Sequence, residues 1–286
     1  MKIQKVAVIG GGLMGRQIAL NTAIYPYEVY LTDNNAAVLE SVAAWEEEYL
    51  AGRIAKGRMT EEQVAGIKAR FHLTASLEEA VCDADLVIEA VVERREVKEA
   101  LFAQVSELVR EDTILATNSS FMVSSLFKEI VPNPGRLCNL HYFNPALVMK
   151  LTEIVRGEHT SDETVEVMKE FSEATGKTPV ILNKEIDGFV VNRILSAINA
   201  EARWLVEEGY CSYQDLDLAC MNGLGHPMGP FMLNDLTGID LTYDVMKSNY
   251  ERSGVKPIGF DLVKEFYDRG WYGKKTGRGF YDYTKK

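Results

Sequence analysis

Four histidines, His72, His141, His159 and His226, offer an imidazole in this chain of 286 residues. His141 stands out. It lies in NLHYFNP, near the end of an extended apolar run, where open α/β sheets form their binding crevice. A neutral imidazole there can take a proton from a substrate, provided that a partner fixes its tautomer. Glu153, twelve residues on in MKLTEIV and hemmed by Leu151, Ile154 and Val155, is such a partner, because a carboxylate in an apolar run needs a hydrogen bond or an opposite charge. On a neighbouring strand Glu153 would accept the proton of one ring nitrogen and leave the other free to act as base. Two plainer readings stay open: a structural, hydrogen-bonded His141, and a Glu153 on the exposed face of an edge strand.

A polar cluster, Asn118, Ser119 and Ser120, follows the run TILAT. It either caps the next helix or presents hydroxyl and amide groups to a cofactor or substrate oxygen. Asn192 interrupts the apolar pattern of GFVVNRIL and reads, from position alone, as a hydrogen bond at a domain interface.

Gly10, Gly12 and Gly15 spell GxGxxG between the strand KVAVI and a helix expected from Leu13 to about Ile24. The first glycine permits a tight turn, the second lets backbone approach a pyrophosphate, and the third lets the helix pack on the sheet. Gly11, Leu13 and Met14 complete the turn whose amides face the phosphates. Asp33 ends the next strand, EVYLTD, where a carboxylate accepts both ribose hydroxyls of NAD and repels the 2′-phosphate of NADP. The plain alternative is a glycine-rich turn with Asp33 as a cap; flavin fits less well than NAD. Arg16 and Gln17 are odd, being bulky polar residues at the start of a helix that must close on the sheet.

These residues need a scaffold, and the chain supplies it. Up to about Asn183, β-branched runs alternate with amphipathic stretches, which predicts a mostly parallel sheet covered by helices, a Rossmann-like domain over residues 1–185. Beyond it, Val191, Ile194, Leu195, Ile198, Ala202 and Leu205 recur at helical spacing up to Gly209. Further helices are expected from the cap Ser212, after the PMGP turn, and up to about Gly270, so residues 186–286 read as an all-α domain.

The net charge of −11 argues against general nucleic-acid binding. An anionic substrate would therefore need a local basic cluster such as GRIAKGRM, with Arg53, Lys56 and Arg58. The four cysteines have neither zinc-site nor disulfide-scaffold spacing, so they read as free thiols in a reducing, cytoplasmic setting with no metal. No apolar run reaches membrane-spanning length, and the glycines make MKIQKVAVIGGGLMG a poor secretion signal.

VAVIGGGLMG, EAVVE with Lys98 following, ATNSS, HYFNPALVMKLTEIV, DGFVVNRIL, GHPMGP and GKKTGRGFYDY together resemble the L-3-hydroxyacyl-CoA dehydrogenases over essentially the whole chain. The likeness is to the short, free-standing type typified by bacterial 3-hydroxybutyryl-CoA dehydrogenase. It implies His141 as base, Glu153 as its orienting partner, Ser120 bonded to the reacting oxygen, and Asn192 as a polar group across the domain interface. It also implies Glu93, Lys98, Ser120, Asn144 and Lys275 around NAD, Lys56 on coenzyme A, and a helical domain that walls the cleft and forms a homodimer. The implied reaction is NAD-dependent oxidation of a short L-3-hydroxyacyl-CoA, or reduction of acetoacetyl-CoA. A dehydrogenase of free hydroxy acids, of the L-gulonate type, would not need Lys56, and a non-catalytic NAD(H)-binding protein would not need the His141–Glu153 pair. Arg16, Gln17, Phe121, Met122, Ala146 and Leu147 depart from the family pattern, which bears on substrate breadth rather than on reaction type.

Overall fold

The apolar runs of the first half become the strands of an eight-stranded sheet in the computed structural model, which describes residues 2–284. The chain divides into two units, Met1–Phe189 and Val190–Lys286.

In the first unit the strands are β1 (Lys5–Ile9), β2 (Glu28–Thr32), β3 (Phe71–Thr74), β4 (Leu86–Glu89), β5 (Ile114–Thr117), β6 (Leu137–Tyr142), β7 (Leu151–Val155) and β8 (Thr178–Leu182), in the spatial order β3-β2-β1-β4-β5-β6-β7-β8. Neighbouring strands run parallel except β6 and β7, which are antiparallel. The helices are α1 (Leu13–Ala23), α2 (Ala36–Ala55), α3 (Glu61–Arg70), α4 (Leu77–Val81), α5 (Arg95–Leu108) and α6 (Asp162–Ala174).

Strand periodicity sends Val6 and Val8 of β1 into one apolar layer with residues of α1, α2, α3 and α6, and Ala7 and Ile9 into the opposite layer with α4 and α5. Burial on both faces is why β1 and β4 read as unbroken apolar runs. Helix starts follow local chemistry. Asn35 accepts from Ala37 N at α2, Thr60 and Gln63 form a capping box at α3, and Ser161 accepts from Thr164 N at α6.

TPVILN forms β8, outside β7. Glu153 is therefore on an interior strand, and the edge-strand reading is corrected. Lys177, buried just before β8, donates to Ala146 O (2.5 Å) and Met149 O (2.9 Å). These bonds tie down the segment that follows the cis Asn144–Pro145 bond. Burial pulls the Lys177 ammonium down from its ordinary 10.5 to about 8.

The second unit holds α7 (Val191–Glu207), α8 (Tyr213–Gly223), α9 (Pro230–Thr237), α10 (Ile239–Ser253) and α11 (Phe260–Asp268), around a core rich in aromatic residues that includes Phe231, Phe266 and Phe280. Ser212 caps α8 as expected, and Gly209 closes α7 at φ +76°. The sequence pattern predicts four helices where the described residues form five. Gly238, at φ +111°, separates α9 from α10.

Candidate active site

The nucleotide end is built on close backbone approach. A Cβ on Gly15 would stand 1.8 Å from Gly10 O, and one on Gly10, at φ +106°, 2.6 Å from Ala90 O. Only glycine lets α1 close on this loop. At Gly12 the space is open, and α1 begins there with no side-chain cap, so its first amides are left for an anion. Asp33 at the end of β2 accepts from Gly11 N (2.8 Å) and, with its other oxygen, from Asn35 N (2.9 Å). Two bonds leave about half of a carboxylate's acceptor capacity for ribose hydroxyls. A cavity of about 810 Å³ opens here, lined by Gly10, Gly12, Asp33, Val91 and Leu101 among others. Open Gly12, uncapped amides and a fixed carboxylate fit a dinucleotide.

Next to that loop lies a buried charge network. Glu89, the last residue of β4, is fully buried and accepts from Lys98 Nζ (2.5 Å), Thr117 Oγ1 (2.6 Å) and Val91 N (2.8 Å). Lys98, 1% exposed, also lies 3.2 Å from Glu93, which in turn takes the Ser119 hydroxyl. Ser119 Oγ accepts from the amides of Phe121 (3.3 Å) and Met122 (2.8 Å). The loop that presents Ser120 is therefore tied to the β4 loop through Lys98 and Glu93. Glu89 and Thr117 were not singled out in the sequence; the signal was a carboxylate ending the apolar run LVIE with a lysine nine residues on.

The antiparallel pairing sets His141 of β6 directly opposite Glu153 of β7. His141 Nδ1 is 2.9 Å from Glu153 Oε2 and Nε2 is 3.0 Å from Ser120 Oγ. Both dyad residues are buried. The tautomer that satisfies both contacts carries its hydrogen on Nδ1, donated to the carboxylate, and exposes the Nε2 lone pair toward Ser120. Phe143 and Phe189 pack against the ring, with centroids 4.6 and 5.3 Å away.

Asn118 Oδ1 accepts from Tyr142 N (2.9 Å), joining the Ser120 loop to β6. Asn139, which the sequence reading missed, donates to Met122 O and accepts from Ser124 N, each at 2.8 Å. Its signal was an amide two residues before His141 in a wholly buried strand, hence on the same sheet face.

The remaining histidines are placed differently. His72 pairs with Glu28, and His159 contacts the buried Ser124, whose hydroxyl donates to Glu185 (2.9 Å). Burial pushes the His159 imidazole below its ordinary value.

The structure thus brings together His141, Glu153 and Ser120, gathers Gly10 to Gly15 with Asp33, and joins Glu93 to Lys98. Asn144 is exposed just beyond β6, and Lys56 is the exposed C-cap of α2. Asn192, in the first turn of α7, and Lys275, whose Nζ is 2.5 Å from Asp240, belong to the second unit.

Residues 5–186 match the family model of the 3-hydroxyacyl-CoA dehydrogenase NAD binding domain, and residues 188–283 that of the 3-hydroxyacyl-CoA dehydrogenase C-terminal domain. A probable 3-hydroxybutyryl-CoA dehydrogenase of Bacillus subtilis is 36% identical over 289 residues, covering 100% of this chain and 99% of its own. Among solved structures, (S)-3-hydroxybutyryl-CoA dehydrogenase from Ralstonia eutropha superposes with a TM-score of 0.88 at 33% identity, covering 99% of this chain and 100% of its own. A diketoreductase acting on dicarbonyl compounds gives a TM-score of 0.90 at 31% identity, over 99% and 100% of the two chains.

Proposed function

The chain belongs to the 3-hydroxyacyl-CoA dehydrogenase family, and we propose that it oxidises the 3-hydroxyl of a short L-3-hydroxyacyl-CoA, 3-hydroxybutyryl-CoA above all, and reduces acetoacetyl-CoA in reverse. The observation that carries this reading is the file Ser120, His141, Glu153, with contacts of 3.0 and 2.9 Å.

Bound NAD⁺ supplies the acceptor for the hydride that leaves C3. His141 Nε2 takes the hydroxyl proton. Ser120 Oγ, already within reach of Nε2, hydrogen-bonds the reacting oxygen and holds it where that proton can pass. Glu153 keeps Nδ1 protonated and stabilises the imidazolium as it forms. In reduction the same nitrogen returns the proton to the ketone oxygen.

Gly10, Gly11, Gly12, Leu13, Met14 and Gly15 would hold the pyrophosphate and Asp33 the ribose. Glu93, Lys98, Asn144 and Lys275 are assigned to the nicotinamide half, Lys56 to the coenzyme A phosphates, and Asn192 to the substrate. The likeness to a diketoreductase favours a second reading, turnover of a ketone that carries no coenzyme A. NADH oxidation with acetoacetyl-CoA, run beside free acetoacetate, tests both: turnover of the thioester alone supports the first, and turnover of the free acid at equal efficiency overturns it.

A homodimer through the helical unit is part of the proposal. Leu218 of α8 and Leu241 and Val245 of α10 are exposed apolar residues that a second copy would cover. The cysteines, all free thiols, are compatible with the proposed reducing, cytoplasmic setting. Among the described residues no helix is long and apolar enough to cross a membrane.

A further inference from the structure

Arg16, the residue that broke the small-side-chain pattern of α1, lays its guanidinium over Trp45 at 4.8 Å from the ring centroid. Trp45 stacks on Tyr49, with centroids 5.7 Å apart and planes 28° from parallel, and Arg53 lies 6.0 Å from the Tyr49 ring. Residues 45, 49 and 53 are four apart on α2 and share one face. Lys56, three further on, continues the row past the helix end. At 1.5 Å per residue the stretch from 45 to 56 is roughly 16 Å long.

Three of these residues are cations, and Arg58 stands beside them. Among the described residues no carboxylate forms an ion pair with Arg16, Arg53, Lys56 or Arg58, in a protein with 42 Asp and Glu. Lys68 on α3, in contrast, pairs with Glu47. The Nε atoms of Arg16 and Arg53 are both buried with no hydrogen-bond partner among the described residues. The row is too long for one phosphate, and its two cationic ends are separated by aromatic rings. A molecule with several phosphates and an aromatic base fits that order.

The inner end of the row leads to the catalytic strand. Met14, Trp45, Tyr49 and Leu147 pack on one apolar cluster, and Gln17 Oε1 accepts from Leu147 N at 3.5 Å. Leu147 follows the strand that carries His141.

We propose that Arg16, Trp45, Tyr49 and Arg53 extend Lys56 into a track for the nucleotide end of coenzyme A, with Arg16 receiving a phosphate at the end nearer the catalytic strand. The inference rests on the acyl-CoA reading above and adds recognition residues to it. Its rival is the pyrophosphate of NAD at the start of α1, on whose fourth residue Arg16 sits.

Calorimetric titration of the full chain with free coenzyme A, and separately with NADH, tests the track in wild type, Arg16→Met and Arg16→Lys. Methionine keeps part of the stem and removes the charge; lysine keeps the charge and loses the planar fork. Arg16→Met should weaken coenzyme A by roughly five- to tenfold and NADH by less than twofold, with Arg16→Lys in between. Added salt should reduce wild-type affinity for coenzyme A more than that of Arg16→Met. Unchanged coenzyme A affinity in both variants, a loss confined to NADH, or no coenzyme A binding by wild type would each overturn the track. If wild type binds coenzyme A in this Arg16-dependent way but does not turn over acetoacetyl-CoA, the proposed function fails and the track stands. If it turns over the thioester and the Arg16 variants bind coenzyme A normally, the function stands and the track fails.

Discussion

Replacing Glu153 by glutamine changes one thing at the proposed catalytic centre. The amide keeps the size and, oxygen inward, can still accept from His141 Nδ1 across the 2.9 Å contact, so the tautomer survives while the negative charge is lost. Two unit charges about 4 Å apart at an effective dielectric of about 20 attract by roughly 4 kcal/mol. If the proton is about half transferred in the transition state, about 2 kcal/mol of stabilisation disappears, which is roughly a thirtyfold fall in kcat. His141→Ala removes the proton carrier itself and should cost about 10² to 10⁴. Because both residues serve one proton transfer, the double variant should be little slower than His141→Ala. NADH affinity should hold, since the nucleotide cavity is lined by Gly10, Gly12 and Asp33 and not by the dyad. The assay is reduction of NAD⁺ by L-3-hydroxybutyryl-CoA under saturating conditions, the direction in which the imidazolium forms, with NADH binding measured separately. Losses that multiply in the double variant, or a Glu153→Gln enzyme as fast as wild type, would refute the coupling.

Wild type should prefer NADH to NADPH, and Asp33→Ala should weaken NADH binding while narrowing that preference; equal kcat/KM for the two cofactors in wild type would remove Asp33 from the ribose. Glu89→Gln leaves Lys98 buried with only Glu93 near it and should destabilise the fold by about 3 kcal/mol, whereas Glu89→Gln with Lys98→Met should recover much of the loss in chemical denaturation; a double variant worse than the single would contradict the pairing. The Lys177 ammonium is held down to about 8, so between pH 8 and about 10.5 the unfolded chain binds more protons at this group than the folded one and its contribution to stability rises with pH. Denaturation midpoints measured at pH 8 and pH 10 should show that component in wild type and lack it in Lys177→Met; identical pH slopes would count against it.

Much of this site can be read from sequence because its signals are local. Gly10, Gly12 and Gly15 stand between a strand and a helix, Asp33 closes the next strand, and His141 and Glu153 are polar intruders in apolar runs. What escaped depends on contacts between distant segments. That Glu153 lies on an interior strand follows from β8 pairing outside β7, which no local pattern encodes. Glu89 looks like the polar end of a strand until Lys98 and Thr117 are found around it, and Arg16 looks misplaced until Trp45 arrives from α2. The fifth helix of the second unit escaped for the opposite reason: the boundary at Gly238 is local, but a glycine does not announce whether it bends the chain or rides in a helix.

The single reversed pairing in the sheet has a consequence for how such an enzyme can diversify. His141 and Glu153 face one another through strand register, so their spacing is set by backbone geometry and does not depend on the residues that link them. The connecting stretch from Phe143 to Lys150 carries the exposed Val148 and Met149, and the side chains at those two positions can change without moving the proposed proton relay. A slip of one residue in either strand would instead turn one partner to the opposite face and abolish the relay at once. Lineages descended from such an ancestor are thus free to vary those exposed positions, while the register itself admits no gradual drift.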